Sequence, residues 1–203
     1  MGKDKVVISI GRQYGSGGRE IGRRLAEIFN IKFYDKELIT LAAKQSGFSE
    51  DVLKENDEKH NGSFLYSLVM GTYTGGDNLP LNHKLFLAQF DTIKKLAEEE
   101  SCVIIGRCAD YALEYNPNCV KAFIRADIDT RIKRAINEYG VNPETVEEKI
   151  KKIDKQRENY YNFYTGKKWG NMENYDITLN SAFTGIDGAI KVIEDLVKNK
   201  YDI

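Results

Sequence analysis

The sequence predicts an α/β fold of three layers, in which about five parallel strands lie between two layers of helices. Two observations predict it. Short apolar runs alternate with longer segments of helical periodicity along the 203 residues, and polar residues follow several of the apolar runs directly. The length is sufficient for one hydrophobic core. We therefore predict a single domain over 1–203, with an insertion at about 49–80 and a lid at about 135–170.

The first strand leads into a loop that favours phosphate. Residues 6–10 (VVISI) are apolar and β-branched, as in a buried parallel strand. Four glycines follow within eight residues: Gly11, Gly15, Gly17 and Gly18. A helical stripe comes next, with Ile21, Leu25 and Ile28. Backbone N–H groups in such a loop, together with a helix N-terminus, attract anions. A glycine-rich turn without a ligand is the alternative.

The loop departs from the usual phosphate-loop pattern, G-x-x-x-x-G-K-[ST]. If Gly17 is the second glycine of the pattern, Gly18 replaces the lysine and Arg19 replaces the hydroxyl residue. Arg12 then occupies the first glycine position, with Gly11 one residue early. An arginine can hold phosphate through two parallel hydrogen bonds, so the loop remains compatible with a nucleotide. The missing hydroxyl leaves the usual Mg²⁺ ligand unassigned.

The second strand is short and ends at an acidic residue. Residues 31–34 are mostly apolar, and Asp35 follows at the carboxyl end, where ligands bind in open α/β sheets. Asp35 could equally cap a helix over 36–45. A short helix over 49–58 and an irregular segment over 60–80 follow, and the latter is too long for an ordinary connection.

The third and fourth strands carry the next candidates. A helix over 82–100 has the apolar stripe Leu85, Phe86, Phe90, Ile93, Leu96 and Ala97, and Gln89 within it is expected to face solvent. Strand 102–105 ends at Gly106 and Arg107, and Arg107 is placed for an anionic ligand. Cys108 is expected to be a small buried thiol. Strand 120–125 leads into a helix with Arg131 and Arg134, which alone would indicate only a solvated face.

The last third of the chain combines aromatic and basic residues. A charged helix is predicted over 141–157, followed by an aromatic stretch that either stacks a base or packs the helix on the core. The stretch contains Tyr160, Tyr161, Phe163, Tyr164, Lys167, Lys168 and Trp169. A final strand over 176–179 and an amphipathic helix over 183–199 complete the fold.

Composition excludes several function classes. The net charge is −1, so no basic field predicts a nucleic-acid partner or an anionic membrane surface. No apolar run reaches the roughly 20 residues of a membrane span, and the N-terminus lacks a signal core. Three cysteines without paired spacing indicate reduced thiols in the cytoplasm. Two histidines give little material for a zinc site or a histidine-based nucleophile.

The loop, the aspartate and the arginines together favour phosphoryl transfer. This chemistry requires positioning and positive charge around the transferred group rather than covalent catalysis. Arginines suited to it are Arg12, Arg19, Arg107, Arg131, Arg134 and Arg157.

Several segments resemble the cytidylate kinase-like family of P-loop proteins. They are ISIGRQYGSGGREIGRRLA, FYDKEL, VIIGRCADY, FIRADIDTRIKR, KIDKQRENYYNFYTGKKW and NYDITLNS, and they cover nearly the whole chain. The combination of GSGG, YD and IIGR-x-AD in this order is more specific than any one motif. The resemblance implies a nucleoside-monophosphate-kinase fold with an acceptor-binding region and a lid, and a small phosphate acceptor such as CMP or dCMP, with ATP and Mg²⁺.

The resemblance also implies roles for individual residues. The nucleotide loop corresponds to Gly11, Arg12, Gly15, Ser16, Gly17, Gly18, Arg19 and Glu20. The resemblance assigns acceptor binding to Asp35, Arg107 and Asp110. It assigns catalysis to Arg19, Arg131, Arg134 and Arg157. Asp154 and Arg157 match the family's lid segment loosely.

Three departures bear on activity. Cys108 stands where true cytidylate kinases have aspartate, the loop lysine is absent, and YDITLNS replaces an acidic ending. A kinase for another small hydroxyl compound and a nucleotide-binding module without turnover therefore remain as alternatives. The sequence leaves the oligomeric state open, a homo-oligomer included.

Overall fold

In a computed structural model that describes residues 5–35, 38, 41 and 81–202, five strands form one parallel sheet. The strands are β1 (Val7–Arg12), β2 (Lys32–Tyr34), β3 (Cys102–Ile105), β4 (Cys119–Arg125) and β5 (Ile177–Asn180). Their order across the sheet is β2-β3-β1-β4-β5. Ile8 pairs with Val103 on one side and Val120 on the other, so the central strand has a partner along both edges. The predicted parallel sheet is confirmed.

The helices of the described residues follow the strands in alternation. They are α1 (Gly18–Ile28), α2 (Leu81–Glu99), α3 (Ala109–Ala112), α4 (Ile128–Asn137), α5 (Val146–Thr165) and α6 (Ser181–Tyr201), with a 3₁₀ turn at Met172–Asn174. Asp127 caps α4, where its carboxylate accepts the Thr130 N–H at 2.8 Å. None of the helices described is long and apolar enough to cross a membrane.

Both faces of the sheet are buried, which explains the continuous apolar runs of the strands. Successive side chains alternate between faces. Ile8 and Ile10 pack with the apolar stripes of α1 and α6 on one face, whereas Val7 and Ile104 pack with α2 and α3 on the other. A parallel sheet covered in this way gives the three layers that the sequence predicts.

Three local expectations are wrong. Ile28 is 47% exposed, because Gly22 and Ala26 complete the buried stripe of α1. Gln89 is 6% exposed rather than solvated, and its amide oxygen accepts the Tyr160 hydroxyl at 3.4 Å. The charged helix does not end at residue 157. It continues to Thr165 and carries most of the aromatic stretch, and Gly166 closes it in a left-handed conformation.

The insertion predicted over 49–80 lies outside the described residues, as does most of the helix predicted over 36–45. Of that helix, Leu38 is described, and it packs against the α2 and α3 side of the core. The lid boundaries, about 135–170, stay a prediction. The three cysteines are buried and free, and burial raises the pKa of the Cys102 and Cys119 thiols to about 12.

Candidate active site

The glycine loop forms a tight turn between β1 and α1. Gly15 and Gly17 adopt left-handed conformations, with φ of 79° and 78°. Residues with a side chain rarely adopt this backbone conformation, which accounts for glycine at these two positions. The Ser16 hydroxyl donates to the Gln13 carbonyl at 2.9 Å and so closes the loop on itself. The N-terminus of α1 follows directly, so the loop and the helix together present N–H groups to an anion.

Two distant residues fix the loop to the sheet. The amide oxygen of Gln13 accepts the Ala126 N–H at 3.1 Å, just beyond β4. The Ser181 hydroxyl, at the start of α6, donates to the Ser16 carbonyl at 2.6 Å. The loop is therefore held from two neighbouring strand ends, which stabilises its shape before any ligand binds.

Gly18 and Arg12 share the space that a loop lysine would need. A Cβ atom added at Gly18 would lie 2.6 Å from the Arg12 Cβ and 3.2 Å from the Ile124 Cβ. The stem of Arg12 thus packs directly over Gly18. Glycine at position 18 is therefore a packing requirement of this loop. A lysine does not fit there, because Arg12 occupies the space that its side chain would enter.

Asp35 pairs with two of the predicted arginines. The Arg19 Nε donates to Asp35 Oδ2 at 2.6 Å, and the Arg12 guanidinium lies 3.9 Å from Oδ1. The Asp35 side chain is 9% exposed, whereas the Arg19 side chain is 61% exposed, so water still screens the Arg19 pair in part. Asp35 therefore orients cations at the carboxyl end of β2, a role that extends beyond helix capping.

The turn after β3 is strained. Gly106, Arg107 and Cys108 have φ of 68°, 57° and 54° in succession. Two non-glycine residues in the left-handed region each cost of order 1–3 kcal/mol, and such strain is concentrated at functional sites. Here it places Arg107 in a pocket that Arg12 and Arg157 also line.

Three guanidinium groups therefore converge on one pocket. Burial, followed by the charges of Arg157 and other arginines, lowers the pKa of Arg12 to about 9, and Asp35 offsets only part of this effect. Burial likewise lowers the pKa of Arg157. Like charges held together away from water are unfavourable, and an anion in the pocket would relieve that repulsion.

Helix α5 is fastened to the glycine loop. Asp154 Oδ1 accepts the Tyr14 N–H at 2.7 Å, and Oδ2 accepts the Arg131 guanidinium. The Arg157 guanidinium donates to the Arg12 carbonyl at 3.1 Å and lies 5.9 Å from the centre of the Tyr14 ring. Helix α5, which carries Arg157, thus contacts the loop backbone directly.

Arg134 reaches the loop from α4. Its guanidinium pairs with Glu20 and lies about 3.3 Å from where a Gly17 Cβ atom would stand. Its Nε atom is buried and makes no hydrogen bond within the described chain. Arg134, predicted as a catalytic residue, lies beside the turn of the loop, whereas Arg19, predicted to bind the nucleotide, pairs with Asp35.

The aromatic stretch packs its helix on the core, which is one of the two uses that the sequence left open, and stacking on a base stays a prediction. Tyr164 stacks on Phe86 of α2 with ring centres 4.1 Å apart, which packs α5 on the core. Tyr160, Tyr161 and Trp169 line the arginine pocket. Within the described ranges, no group of three or more His, Cys, Asp or Glu side chains could hold a metal ion.

The sequence profile of the cytidylate kinase-like family matches residues 7–182, which include β1, the glycine loop, the arginine pocket and α5. The chain belongs to the cytidylate kinase-like family.

Individual relatives agree with the family. A cytidylate kinase of Pyrococcus horikoshii is 24% identical over 196 residues, which are 96% of this chain and 89% of that protein. The structure of an uncharacterised protein from Eubacterium ventriosum is 33% identical and superimposes with a TM-score of 0.73, covering 96% of this chain and 99% of that one.

More distant structures share the fold alone. A shikimate kinase from Acinetobacter baumannii, in complex with shikimate, is 12% identical with a TM-score of 0.54. The match covers 97% of this chain and 95% of that one, so the two proteins share a fold. Together with the family, this supports a nucleotide-dependent kinase whose acceptor is a separate question.

Sequence reasoning missed some of the residues that build this site. Gln13, Tyr14 and Ser181 hold the loop through hydrogen bonds with partners far away in the sequence. No spacing pattern marks such partners. Tyr161 and Tyr175 line the pocket, but a tyrosine in an aromatic stretch gives no sign of which way its hydroxyl points.

Proposed function

We propose that the protein is an ATP-dependent phosphotransferase whose acceptor is a nucleoside monophosphate, CMP or dCMP. The observation that carries the proposal is the convergence of Arg12, Arg107 and Arg157 on one pocket beside the glycine loop. Two anion sites side by side are what transfer between two phosphates requires. The loop and Arg134 would hold the donor phosphates, and the arginine pocket would hold the acceptor phosphate.

The transfer step needs no general base from the protein. An oxygen of the acceptor phosphate attacks the γ-phosphorus of ATP, the bond from that phosphorus to its bridging oxygen breaks, and ADP leaves. A phosphate monoester is largely a dianion above its second pKa of about 6, so the attacking oxygen carries no proton near neutral pH. The scarcity of histidine in the site is consistent with this chemistry.

The arginines would act by charge and position. In the transition state, the γ-phosphoryl group spreads negative charge over its equatorial oxygens. Fixed guanidinium groups stabilise that charge without reorganising. Arg131 is held by Asp154 and Arg157 by the loop carbonyl, so both cations are in place before transfer. Arg19 and Asp35 would align the acceptor at the edge of the same pocket.

Mg²⁺ would enter with ATP. It is usually held by substrate phosphates, waters and one or two carboxylates. Near the loop, the described carboxylates include Glu20, Asp35 and Asp154, and each is paired with an arginine. The site therefore fits a metal carried by the nucleotide, and when bound the metal would neutralise part of the phosphate charge.

A coupled assay of ADP formation tests the proposal, with ATP, Mg²⁺ and a panel of CMP, dCMP, UMP, AMP and small hydroxyl compounds. Turnover with CMP or dCMP is expected. Turnover with a non-nucleotide and none with the monophosphates would assign another acceptor. Calorimetric binding of ATP with no turnover on any acceptor would overturn transfer and leave a nucleotide-binding module, the alternative that the absent loop lysine favours.

A further inference from the structure

The Arg12 side chain extends from the glycine loop to the arginine pocket. Its stem packs over Gly18, where an added Cβ atom would lie 2.6 Å from the Arg12 Cβ and 3.2 Å from the Arg12 Cγ. Its guanidinium lies against Gly106, just beyond β3, where an added Cβ atom would overlap it. One side chain therefore begins beside the proposed donor site and ends in the wall of the proposed acceptor site.

The donor groups of Arg12 are left unused by the protein. The side chain is 20% exposed, and within the part of the chain that the structure describes its guanidinium donates no hydrogen bond. Asp35 Oδ1 lies 3.9 Å away, and Asp35 Oδ2 already accepts the Arg19 Nε at 2.6 Å. The carboxylate in the pocket wall, Asp110, accepts the Tyr161 hydroxyl at 2.5 Å. A guanidinium has five N–H donors, so Arg12 is equipped for an anion that the protein does not supply.

Other arginines of the site hold protein atoms instead. Arg157 donates to the backbone carbonyl of Arg12 at 3.1 Å. Arg131 pairs with Asp154 and so joins α4 to α5. The backbone of Arg12 is thereby fixed by a neighbouring cation, while its own guanidinium points into the pocket.

The sequence places Arg12 and Gly18 at two related positions. With Gly17 as the second glycine of the phosphate-loop pattern, position 12 is the first glycine and position 18 is the lysine. The chain therefore has a cation where the pattern has glycine, and glycine where the pattern has a cation. In the usual loop the lysine reaches the β- and γ-phosphates. The exchange moves the positive charge across the loop without removing it.

We propose that Arg12 is a catalytic residue that contacts the phosphoryl group in transfer and so replaces the lysine of the usual loop. The inference rests on the proposed function and identifies the cation between its two phosphate sites. In transfer the γ-phosphorus forms a bond to an oxygen of the acceptor phosphate and loses its bond to the bridging oxygen, which leaves with ADP. Arg12 donates hydrogen bonds to the equatorial oxygens throughout and gives up no proton.

A purely structural role for Arg12 predicts a different response to truncation. Burial and the charge of Arg157 lower the pKa of Arg12 to about 9, and Arg107 acts in the same direction. Arg12 still carries its charge at neutral pH, but among like charges it does not favour the folded state. Replacement of a buried charge by an apolar residue of similar volume is often neutral or stabilising. Arg12→Met, which keeps an apolar stem over the loop, should therefore melt at the same temperature or higher.

Steady-state kinetics of Arg12→Met with ATP and CMP test the inference. We expect kcat to fall about 100- to 1,000-fold, the loss that follows removal of one preorganised donor. The ratio kcat/KM should fall by about the same factor for ATP and for CMP, because the contact is made with the group that passes between them. A contact with the bound acceptor alone would raise the KM for CMP and leave kcat unchanged. Arg23→Met, which changes an exposed arginine of α1, should alter none of these values.

A double variant tests the exchange of the two positions. Arg12→Gly combined with Gly18→Lys restores the usual pattern. It removes the Arg12 Cβ and Cγ that a side chain at position 18 would meet, and the Ile124 Cβ at 3.2 Å remains as a close neighbour. The double variant should melt above Gly18→Lys alone, and its kcat should exceed that of Arg12→Gly about tenfold or more. Such non-additivity is expected of residues in contact.

The outcomes separate this inference from the proposed function. An active unmodified protein whose Arg12→Met variant keeps its kcat would overturn the inference alone, as would a lower melting temperature together with a rise only in the KM for CMP. A folded double variant that recovers no activity would also overturn it, and Arg12→Met decides the question where the double variant does not fold. Absence of turnover by the unmodified protein with every acceptor would overturn the proposed function and this inference with it.

Discussion

Gly18→Ala tests whether the loop has been reshaped around Arg12. The added Cβ would lie 2.6 Å from the Arg12 Cβ, closer than real Cβ contacts, and 3.2 Å from the Ile124 Cβ. Both neighbours are atoms near the backbone rather than the ends of flexible chains, so the loop or β1 must move. Overpacking of this kind costs about 1–3 kcal/mol.

Gly188→Ala is the matched control. It lies within α6, and the nearest atom to its added Cβ would be the Thr184 Cβ at an ordinary 3.5 Å. Alanine is about 1 kcal/mol better than glycine inside a helix, so this variant should gain stability. The two glycine-to-alanine changes should therefore differ by about 2–4 kcal/mol in free energy of unfolding.

Urea titration followed by circular dichroism measures both values. The same titration on Gly18→Lys separates packing from chemistry. Restoring the usual loop lysine should destabilise the protein at least as much as alanine does, and should lower activity rather than raise it. Equal stabilities for Gly18→Ala and Gly188→Ala, or a gain of activity in Gly18→Lys, would refute the idea that Arg12 has displaced the lysine.

The remaining predictions concern the lid, the acidic group and the donor site. Asp154→Ala leaves a largely buried arginine unpaired, at about 3–5 kcal/mol, and should lower the melting temperature by about 6–20 °C. Lys155→Ala, at an exposed pair, should change it little. Burial raises the pKa of Asp110 from 3.8 to about 6, so the folded state binds a proton that the unfolded state releases. The contribution of this group to the free energy of unfolding should therefore fall by about 2 kcal/mol between pH 4 and pH 6, and urea titrations of Asp110→Asn should lack that component. Arg134→Ala should raise the KM for ATP about 10- to 150-fold, through loss of a charged hydrogen bond, whereas Arg23→Ala, on an exposed turn of α1, should not.

Local patterns were sufficient to predict the architecture. The parallel sheet follows from apolar runs buried on both faces, and α1 follows from its apolar periodicity. The end of α5 was missed because Tyr160, Tyr161 and Tyr164 were interpreted as a separate aromatic stretch that follows the charged helix. They pack on Phe86 and Asp110, contacts that are 50 or more residues away and have no local signature.

In the candidate site, the positions of the charged residues could be predicted, but their partners could not. Charges that follow strands could be predicted, since strand ends in a parallel sheet share one edge. Arg12, Arg107 and Asp35 do meet there. What each arginine pairs with could not be predicted, because Arg19 and Arg134 have long side chains that reach several partners. Asp154 is one residue whose partner could not be predicted, because its hydrogen bond from the Tyr14 N–H depends on how α5 crosses the loop.

The central claim is that the arginine pocket binds the phosphate of the acceptor. Steady-state kinetics of Arg107→Ala with CMP and ATP tests it most directly, with Arg23→Ala as control. Both residues carry the same charge, and alanine at position 107 replaces a side chain without altering the left-handed backbone that arginine already tolerates. The KM for CMP should rise about 10- to 150-fold while the KM for ATP stays unchanged. An unchanged KM for CMP, or equal rises for both substrates, would contradict it.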